Sequence, residues 1–167
     1  ETGSLIVRVT GVNDAPAASA GAFSVAEGSL ASATFPASDV DQGDSLSFSF
    51  DSIGLRFTDN TNGTFSFDAS GAEFESLGAG ESTDVVIGFT ATDGANASDT
   101  GAITMSVNGI NDAPVASPVA ELAANEDGPN NGSFNATDVD DTVLSYTVTT
   151  QPAQGIVTPT GPGATFS

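Results

Sequence analysis

Apolar and polar residues alternate through most of the chain. The pattern is clear in Ala31-Ala33-Phe35, Leu46-Phe48-Phe50, Leu55-Phe57, Phe65-Phe67, Val85-Ile87-Phe89-Ala91 and Ile103-Met105-Val107, with mostly Ser, Thr, Asp and Gly between them. A period of two places every second side chain on the same face, so each run predicts a strand with one side in a core and one in water. Turn-forming clusters separate the runs: Asp41-Gln42-Gly43-Asp44, Asn60-Thr61-Asn62-Gly63, Asp93-Gly94 and Asn108-Gly109. Helix signals are nearly absent; Glu73-Phe74-Glu75-Ser76-Leu77 is long enough for one turn. About seven short strands in about 100 residues predict an all-β fold, a β-sandwich of immunoglobulin-like type. A unit of that size can bury a small but sufficient core.

The chain repeats itself. Gly11-Val12-Asn13-Asp14-Ala15-Pro16 returns 98 residues later as Gly109-Ile110-Asn111-Asp112-Ala113-Pro114, and its lead-in Thr2-Gly3-Ser4-Leu5 returns as Thr100-Gly101-Ala102-Ile103. Downstream, Phe35-Pro36-Ala37-Ser38-Asp39-Val40-Asp41 returns as Phe134-Asn135-Ala136-Thr137-Asp138-Val139-Asp140, and Leu46-Ser47-Phe48 as Leu144-Ser145-Tyr146. Residues 1–12 are therefore expected to be the last strand of a preceding module, 13–112 a complete module, and 113–167 the N-terminal half of the next. The closing Thr165-Phe166-Ser167 echoes Thr64-Phe65-Ser66, which is mid-strand. The expectation is a window on a longer array, or a subunit completed by a neighbour's strands. An isolated half-sandwich would expose its edges, so 113–167 is expected to be disordered or completed by another chain.

Composition narrows the chemistry. The 167 residues include 22 acids against two basic residues, Arg8 and Arg56, with no Lys, His or Cys, for a net charge of −20. Zinc sites of the usual kind, thiol nucleophiles and imidazole bases are excluded. So much negative charge repels phosphate backbones and anionic lipid, which argues against nucleic-acid and membrane-surface binding. No apolar run is long enough to span a bilayer. Disorder does not fit either, because 38% of the chain is hydrophobic and 11 residues are Phe. A folded chain this acidic either lives in high salt or binds cations.

Many acids fall at predicted strand ends and module boundaries: Asp14, Glu27, Asp39, Asp41, Asp44, Glu73, Glu75, Asp93, Asp112, Asp138, Asp140 and Asp141. Carboxylates as close as those of Asp39-Val40-Asp41 repel unless a cation lies between them. Calcium suits such a set, since it takes six to eight oxygens and accepts Asn and backbone carbonyls beside carboxylates. Magnesium demands a tighter octahedron and fits less well. A lone Asp in a turn is more simply a solvated cap, which is how Asp44, Asp51, Asp59, Asp68, Asp84 and Asp99 are read. Asp39, Asp41, Asp138 and Asp140 recur at matching places and are read as metal ligands. Arg56 is expected to pair locally with an acid. The Asn-x-Ser/Thr triplets at Asn62, Asn96, Asn131 and Asn135 are read as ordinary polar loops.

These motifs resemble a known family. Phe23-Ser24-Val25-Ala26-Glu27-Gly28 followed by Ala37-Ser38-Asp39-Val40-Asp41-Gln42-Gly43-Asp44 resembles the opening of a cadherin repeat, Glu73-Phe74-Glu75 its Asp-Arg-Glu element, Ala91-Thr92-Asp93-Gly94 its Ala-x-Asp-Gly, and Asn111-Asp112-Ala113-Pro114 its linker. The spelling Gly-Val/Ile-Asn-Asp-Ala-Pro is closer to the bacterial cadherin-like and VCBS-type repeats of large secreted RTX-type adhesins. Asn125-Glu126-Asp127-Gly128 and Gln151-Pro152-Ala153-Gln154-Gly155 are similar to those too. The resemblance implies tandem cadherin-like sandwiches with Ca2+ between them. One junction would use Asn13, Asp14, Asp39, Asp41 and Asp93. The next would use Glu27, Glu73, Glu75, Asn111, Asp112, Asp138 and Asp140. Gly11 and Gly109 stand where the cadherin linker has its first Asp, which implies fewer ions per junction than the three of cadherins.

The function expected on this basis is a calcium-rigidified extender repeat of a secreted or cell-surface bacterial adhesin, supporting adhesion or biofilm attachment. Its partners would be neighbouring repeats, with homophilic or glycan contact, and without nucleic acid or membrane insertion. Alternatives are a calcium-dependent glycan- or protein-binding module, a subunit of an extracellular filament, and a halophile's passive acidic surface. Catalysis is not expected: a glycosidase pair such as Glu73 and Glu75 has nothing behind it except the presence of acids.

Overall fold

The computed structural model describes residues 3–51, 56–118 and 130–160, together with the backbone of the strand at 163–166. The alternating runs become strands wherever they are described. In chain order these are β1 (Ala17–Ala18), β2 (Ala20–Ala26), β3 (Leu30–Thr34), β4 (Ala37–Ser38), β5 (Ser47–Phe50), β6 (Phe57–Asp59), β7 (Thr64–Asp68), β8 (Ser82–Thr92) and β9 (Ser98–Asn108). After the second linker come β10 (Val115–Ala116), β11 (Asn130–Ser133), β12 (Ala136–Thr137), β13 (Val157–Thr160) and β14 (Gly163–Phe166). Leu55, Thr2, Ser167 and the motif Asn125-Glu126-Asp127-Gly128 lie outside the described residues. No helix occurs among the described residues, and none is long and apolar enough to cross a membrane.

Two sheets build the first sandwich. One has the order β2-β9-β8-β5 and the other β3-β7-β6. All neighbours are antiparallel except β2 and β9, which run parallel from Ala20↔Ala102 to Ala26↔Asn108. Turn chemistry sets the hairpins as expected. The β6–β7 turn has Thr61 and Gly63 at positive φ, and the β8–β9 turn has Asn96 there, the conformation that Gly and Asn tolerate best. Between Gly71 and Leu77 the chain makes a turn closed by Phe74 N–H to the Gly71 carbonyl (2.8 Å) and Leu77 N–H to the Phe74 carbonyl (2.9 Å).

The inward residues of both sheets meet in one core. Phe57, Phe65 and Phe67 come from the three-stranded sheet, Ile87, Phe89, Ala91, Ile103, Met105 and Val107 from the four-stranded one, and Phe35 and Phe74 from connections. Phe35 stacks on Phe48 with ring centres 4.0 Å apart and touches Phe65 and Phe89 at 5.3 Å. Each buried aromatic removes a large apolar area from water, worth about 1.5–3 kcal/mol. Met105 lies in the middle of β9 with no exposure.

Sequence repetition is matched by structural repetition. β1 pairs with β4 as Ala17↔Ser38 and Ala18↔Ala37; β10 pairs with β12 as Val115↔Thr137 and Ala116↔Ala136. The sheet β11-β14-β13 repeats β3-β7-β6. Among the described residues no counterpart of β8 or β9 follows the second linker. Leu144-Ser145-Tyr146, the equivalent of the start of β5, accordingly forms no strand, because β5 is held in its sheet by β8 alone. Phe134 still stacks near Tyr146, at 5.3 Å, as Phe35 does on Phe48. These rings line an open hollow with Ala136, Val143 and Leu144.

Residues 3–12, the match to β9 at the other end, form no strand. Leu5, Val7 and Val9 are 89%, 74% and 88% exposed, while their equivalents Ile103, Met105 and Val107 are fully buried.

Candidate metal centre

Each linker is drawn onto an Asp-x-Asp loop by the same bonds. The short β1–β4 pairing, with Ser19 N–H donating to the Pro36 carbonyl (2.9 Å), lays the first linker beside the residues that follow β4. Asp14 N–H then donates to Asp41 Oδ2 at 2.7 Å, and Asp41 N–H to Asp39 Oδ1 at 2.8 Å. At the second linker Ser117 N–H donates to the Asn135 carbonyl (2.7 Å), Asp112 N–H to Asp140 Oδ2 (2.6 Å), and Asp140 N–H to Asp138 Oδ1 (3.0 Å). Asn13 and Asn111 each donate a side-chain N–H to the carbonyl of the following Asp.

Asp93 reaches the first linker from the β8–β9 turn. Its Oδ1 accepts the N–H groups of Ala95 (2.9 Å) and Ala97 (2.8 Å), and its Oδ2 accepts Asn13 Nδ2 (2.9 Å). The Asn13 amide, and then the backbone N–H groups of Ala97, Ala95 and Asn96, hold the Asp93 carboxyl below its ordinary pKa against the opposing effect of burial. Glu27, at the end of β2, serves the second linker: it is 8% exposed, and its Oε1 accepts Ile110 N–H at 2.6 Å.

The remaining two expected ligands are placed differently. Glu73 is taken up by Arg56, whose Nε donates to Oε1 at 2.6 Å and whose Nη2 donates to Oε2 at 3.1 Å. That bidentate bond holds the Glu73 carboxyl below its usual pKa. Arg56 also lies 3.7 Å from Asp68 and over the ring of Phe74, so the local pairing expected of it is present. Glu75 is half-buried in the same turn and makes no hydrogen bond or ion pair with the described residues.

Asp44, which its turn setting alone marks as a solvated cap, instead lies with Asp39 and Asp41. Carboxylate oxygens of Asp39, Asp41 and Asp44 lie within 4.8 Å of one another, the only such trio of acids among the described residues. Gly43 at φ +97°, with Asp44 N–H directed at the Asp41 carbonyl (3.4 Å), folds the loop back and delivers the third acid. The spacing Asp-x-Asp-x-x-Asp, with Gly before the last Asp, was the available signal.

Three buried side-chain oxygens find no hydrogen-bond partner among the described residues: Glu27 Oε2, Asp39 Oδ2 and Asp140 Oδ1. All three belong to acids gathered at the linkers. An ionised oxygen hidden from water without a donor costs about 1–3 kcal/mol or more, and a cation removes that cost. The donor set is carboxylate and amide oxygen with no nitrogen or sulfur ligand, which selects hard divalent ions. The residues present fit calcium on both counts.

Comparison with known proteins agrees with this architecture. A family model described as a bacterial Ig domain matches residues 13–106. Among solved structures, the fold is similar to extracellular cadherin domains 1–4 of protocadherin gamma B7, with a TM-score of 0.51 and 16% identity over 91% of this chain and 40% of that one. The N-terminal eight Ig domains of the Down syndrome cell adhesion molecule align with a TM-score of 0.39 and 14% identity, over 92% of this chain and 23% of that one. The chain thus spans less than half the length of either structure, and at 16% identity the likeness to the protocadherin domains is one of fold. No curated protein matches the sequence. With its two-sheet sandwich, its repeated linkers and a family match over more than half its length, the chain belongs to the bacterial Ig domain family.

Proposed function

We propose that this chain is an extender segment of a bacterial surface or secreted adhesin, in which calcium at the linkers stiffens successive Ig-like modules. One observation carries the reading: the three buried, unpartnered carboxylate oxygens all sit on Glu27, Asp39 and Asp140, at the two linkers. Asp39, Asp41 and Asp44, with Asn13, Asp14 and Asp93 beside them, would hold an ion at the first linker. Glu27, Asn111, Asp112, Asp138 and Asp140 would do so at the second. A bound calcium would supply positive charge, shared at the second linker by acids from two modules and the linker between them, and at the first by acids of the linker and the module that follows it. The chain's own part is geometric. The Asp14–Asp41 and Asp112–Asp140 bonds hold each linker against the loop that follows it. Without a cation the carboxylates repel and the joint is free to flex.

Millimolar extracellular calcium matches the weak end of the range for such sites, with Kd about 10⁻⁴–10⁻³ M. The role is architectural rather than catalytic: the acids recur from module to module, as joints do, and Glu73 is committed to Arg56. Localisation outside the cell follows from that calcium requirement, and neighbouring repeats of the same array are the partners. The VCBS-like spelling of the linkers supports an RTX-type or biofilm adhesin as the parent.

Small-angle scattering and calorimetry test the proposal at equal ionic strength. Calcium should bind with a discrete heat and narrow the distribution of intramolecular distances, while sodium should do neither. Unchanged dimensions and no binding heat would reduce the chain to an acidic sandwich without a metal role.

A further inference from the structure

Where β9 runs into the second linker, the backbone is pinned by groups that need no metal. Gly109 N–H donates to the Glu81 carbonyl at 3.0 Å, and Ile110 N–H donates to Glu27 Oε1 at 2.6 Å. Glu27 is itself fixed, its own N–H donating to the Asn108 carbonyl at 2.9 Å. The opposing wall is the Gly78–Glu81 turn, closed by Glu81 N–H to the Gly78 carbonyl (3.0 Å) and Gly78 N–H to Glu81 Oε2 (3.2 Å), with Gly80 at φ +89°. Gly109 packs so tightly on this wall that an added Cβ would overlap the carbonyl oxygens of Leu77 and Gly78. Glycine at 109 is therefore a packing requirement, which explains a linker that starts with Gly.

Two residues beyond Ile110 the support changes in kind. Asp112 N–H is held by the Asp140 carboxylate, from the loop after β12 on the far side of the linker, whereas Glu27 belongs to the same sandwich as β9; both acids carry a buried oxygen without a partner.

We propose that Glu27 and Gly109 form a metal-independent clamp on the root of the linker, so that the calcium-responsive hinge is confined to Asn111–Pro114. The hinge half of this statement rests on the calcium reading; the clamp half rests on Glu27 Oε1 alone and leaves Oε2, the oxygen without a partner, to the ion. Glu27 acts as a positioning residue: Oε1 fixes Ile110, and that bond places the rest of the linker opposite Asp138 and Asp140. Calcium then has four residues to order instead of a whole flexible connection, which lowers the entropy lost on binding.

Residue-resolved amide hydrogen exchange on the 167-residue chain, in chelator and in saturating Ca2+, tests both halves. In chelator the Gly109 and Ile110 amides should exchange about a hundredfold or more slower than unstructured amides, while Asp112 should gain tenfold or more only on adding calcium. Glu27→Gln retains a carbonyl acceptor and should keep Ile110 protected, whereas Glu27→Ala should expose it. Gly109→Ala should release the root, and Gly11→Ala, with nothing within 4 Å of its Cβ, should change nothing. Amides of β7 and β8 report whether each variant is folded, and the wild-type chelator arm decides the matter even if a variant is not. Coil-like exchange of Gly109 and Ile110 in chelator overturns the clamp. Calcium-independent exchange of Asp112 beside protected Gly109 and Ile110 overturns the hinge and the calcium reading of the second linker, and leaves the clamp standing.

Discussion

The backbone N–H of Asp14 and the carboxylate of Asp41, 27 residues apart in sequence, meet at 2.7 Å, and the same bond joins Asp112 to Asp140 at 2.6 Å. A carboxylate that fixes the linker with one oxygen keeps the other for a second task. In Asp140 that other oxygen is buried and unpartnered.

The two linkers should therefore fail separately. Asp41→Asn, or Asp44→Asn within the same trio, should weaken calcium binding at the first linker tenfold or more and leave the second unchanged; Asp140→Asn should do the reverse. Titration calorimetry on the single variants and the double variant checks this, since distant sites add. A variant of one linker that abolished both binding events would show that the ions share one site.

Acid should strip a defined part of the stability. Asn13 and the backbone donors of Ala97, Ala95 and Asn96 depress the Asp93 pKa in the folded state. A depressed carboxylate contributes stability that is complete above its unfolded value, near 3.9, and disappears as pH falls through its lower folded value. Asp93→Asn should accordingly be less stable than wild type at pH 6 in chelator, with the gap closing below about pH 4 as wild type loses the same contribution. Urea unfolding across that pH range at constant ionic strength measures the gap.

The aromatic core sets the stability of the first module. Phe65 is fully buried and touches the rings of Phe23, Phe35 and Phe57. Phe65→Ala should cost about 3–5 kcal/mol, a large share of the roughly 5–15 kcal/mol that holds an ordinary module folded. Circular dichroism during urea unfolding should show the midpoint falling accordingly.

Arg56→Gln should have a milder effect. Its pairs with Glu73 and Asp68 are solvent-facing, so the loss should shrink in high salt and fall well below that of Phe65→Ala. Calcium affinity at the first linker should not change, because Glu73 takes no part there.

Much of this was readable in advance where side chains speak through periodicity. β7, β8 and β9 follow from the alternation of Phe65-Phe67, Val85 to Ala91 and Ile103 to Val107. β2 did not announce itself: its first three residues are Ala, Gly and Ala, and its place is decided by parallel pairing with a strand about 80 residues away. The acids of the linkers were legible because they recur, and Asp93 because it follows the Ala-x-Asp-Gly element. Asp44 was hidden because it has no equivalent at the same spacing after Asp140. Glu73 is expected as a ligand through the likeness of Glu73-Phe74-Glu75 to the Asp-Arg-Glu element, and nothing in the linear sequence shows that Arg56, one of only two cations in the chain, lies beside it.

The parallel pairing of β2 with β9 bears on how the molecule carries load. β2 follows the first linker through β1, and β9 leads into the second, so tension applied at the two linkers pulls these neighbours in opposite directions along their shared ladder. The seven paired positions from Ala20↔Ala102 to Ala26↔Asn108 are then stressed in shear, all at once, instead of being peeled open from one end. A module built this way yields only when the whole ladder gives.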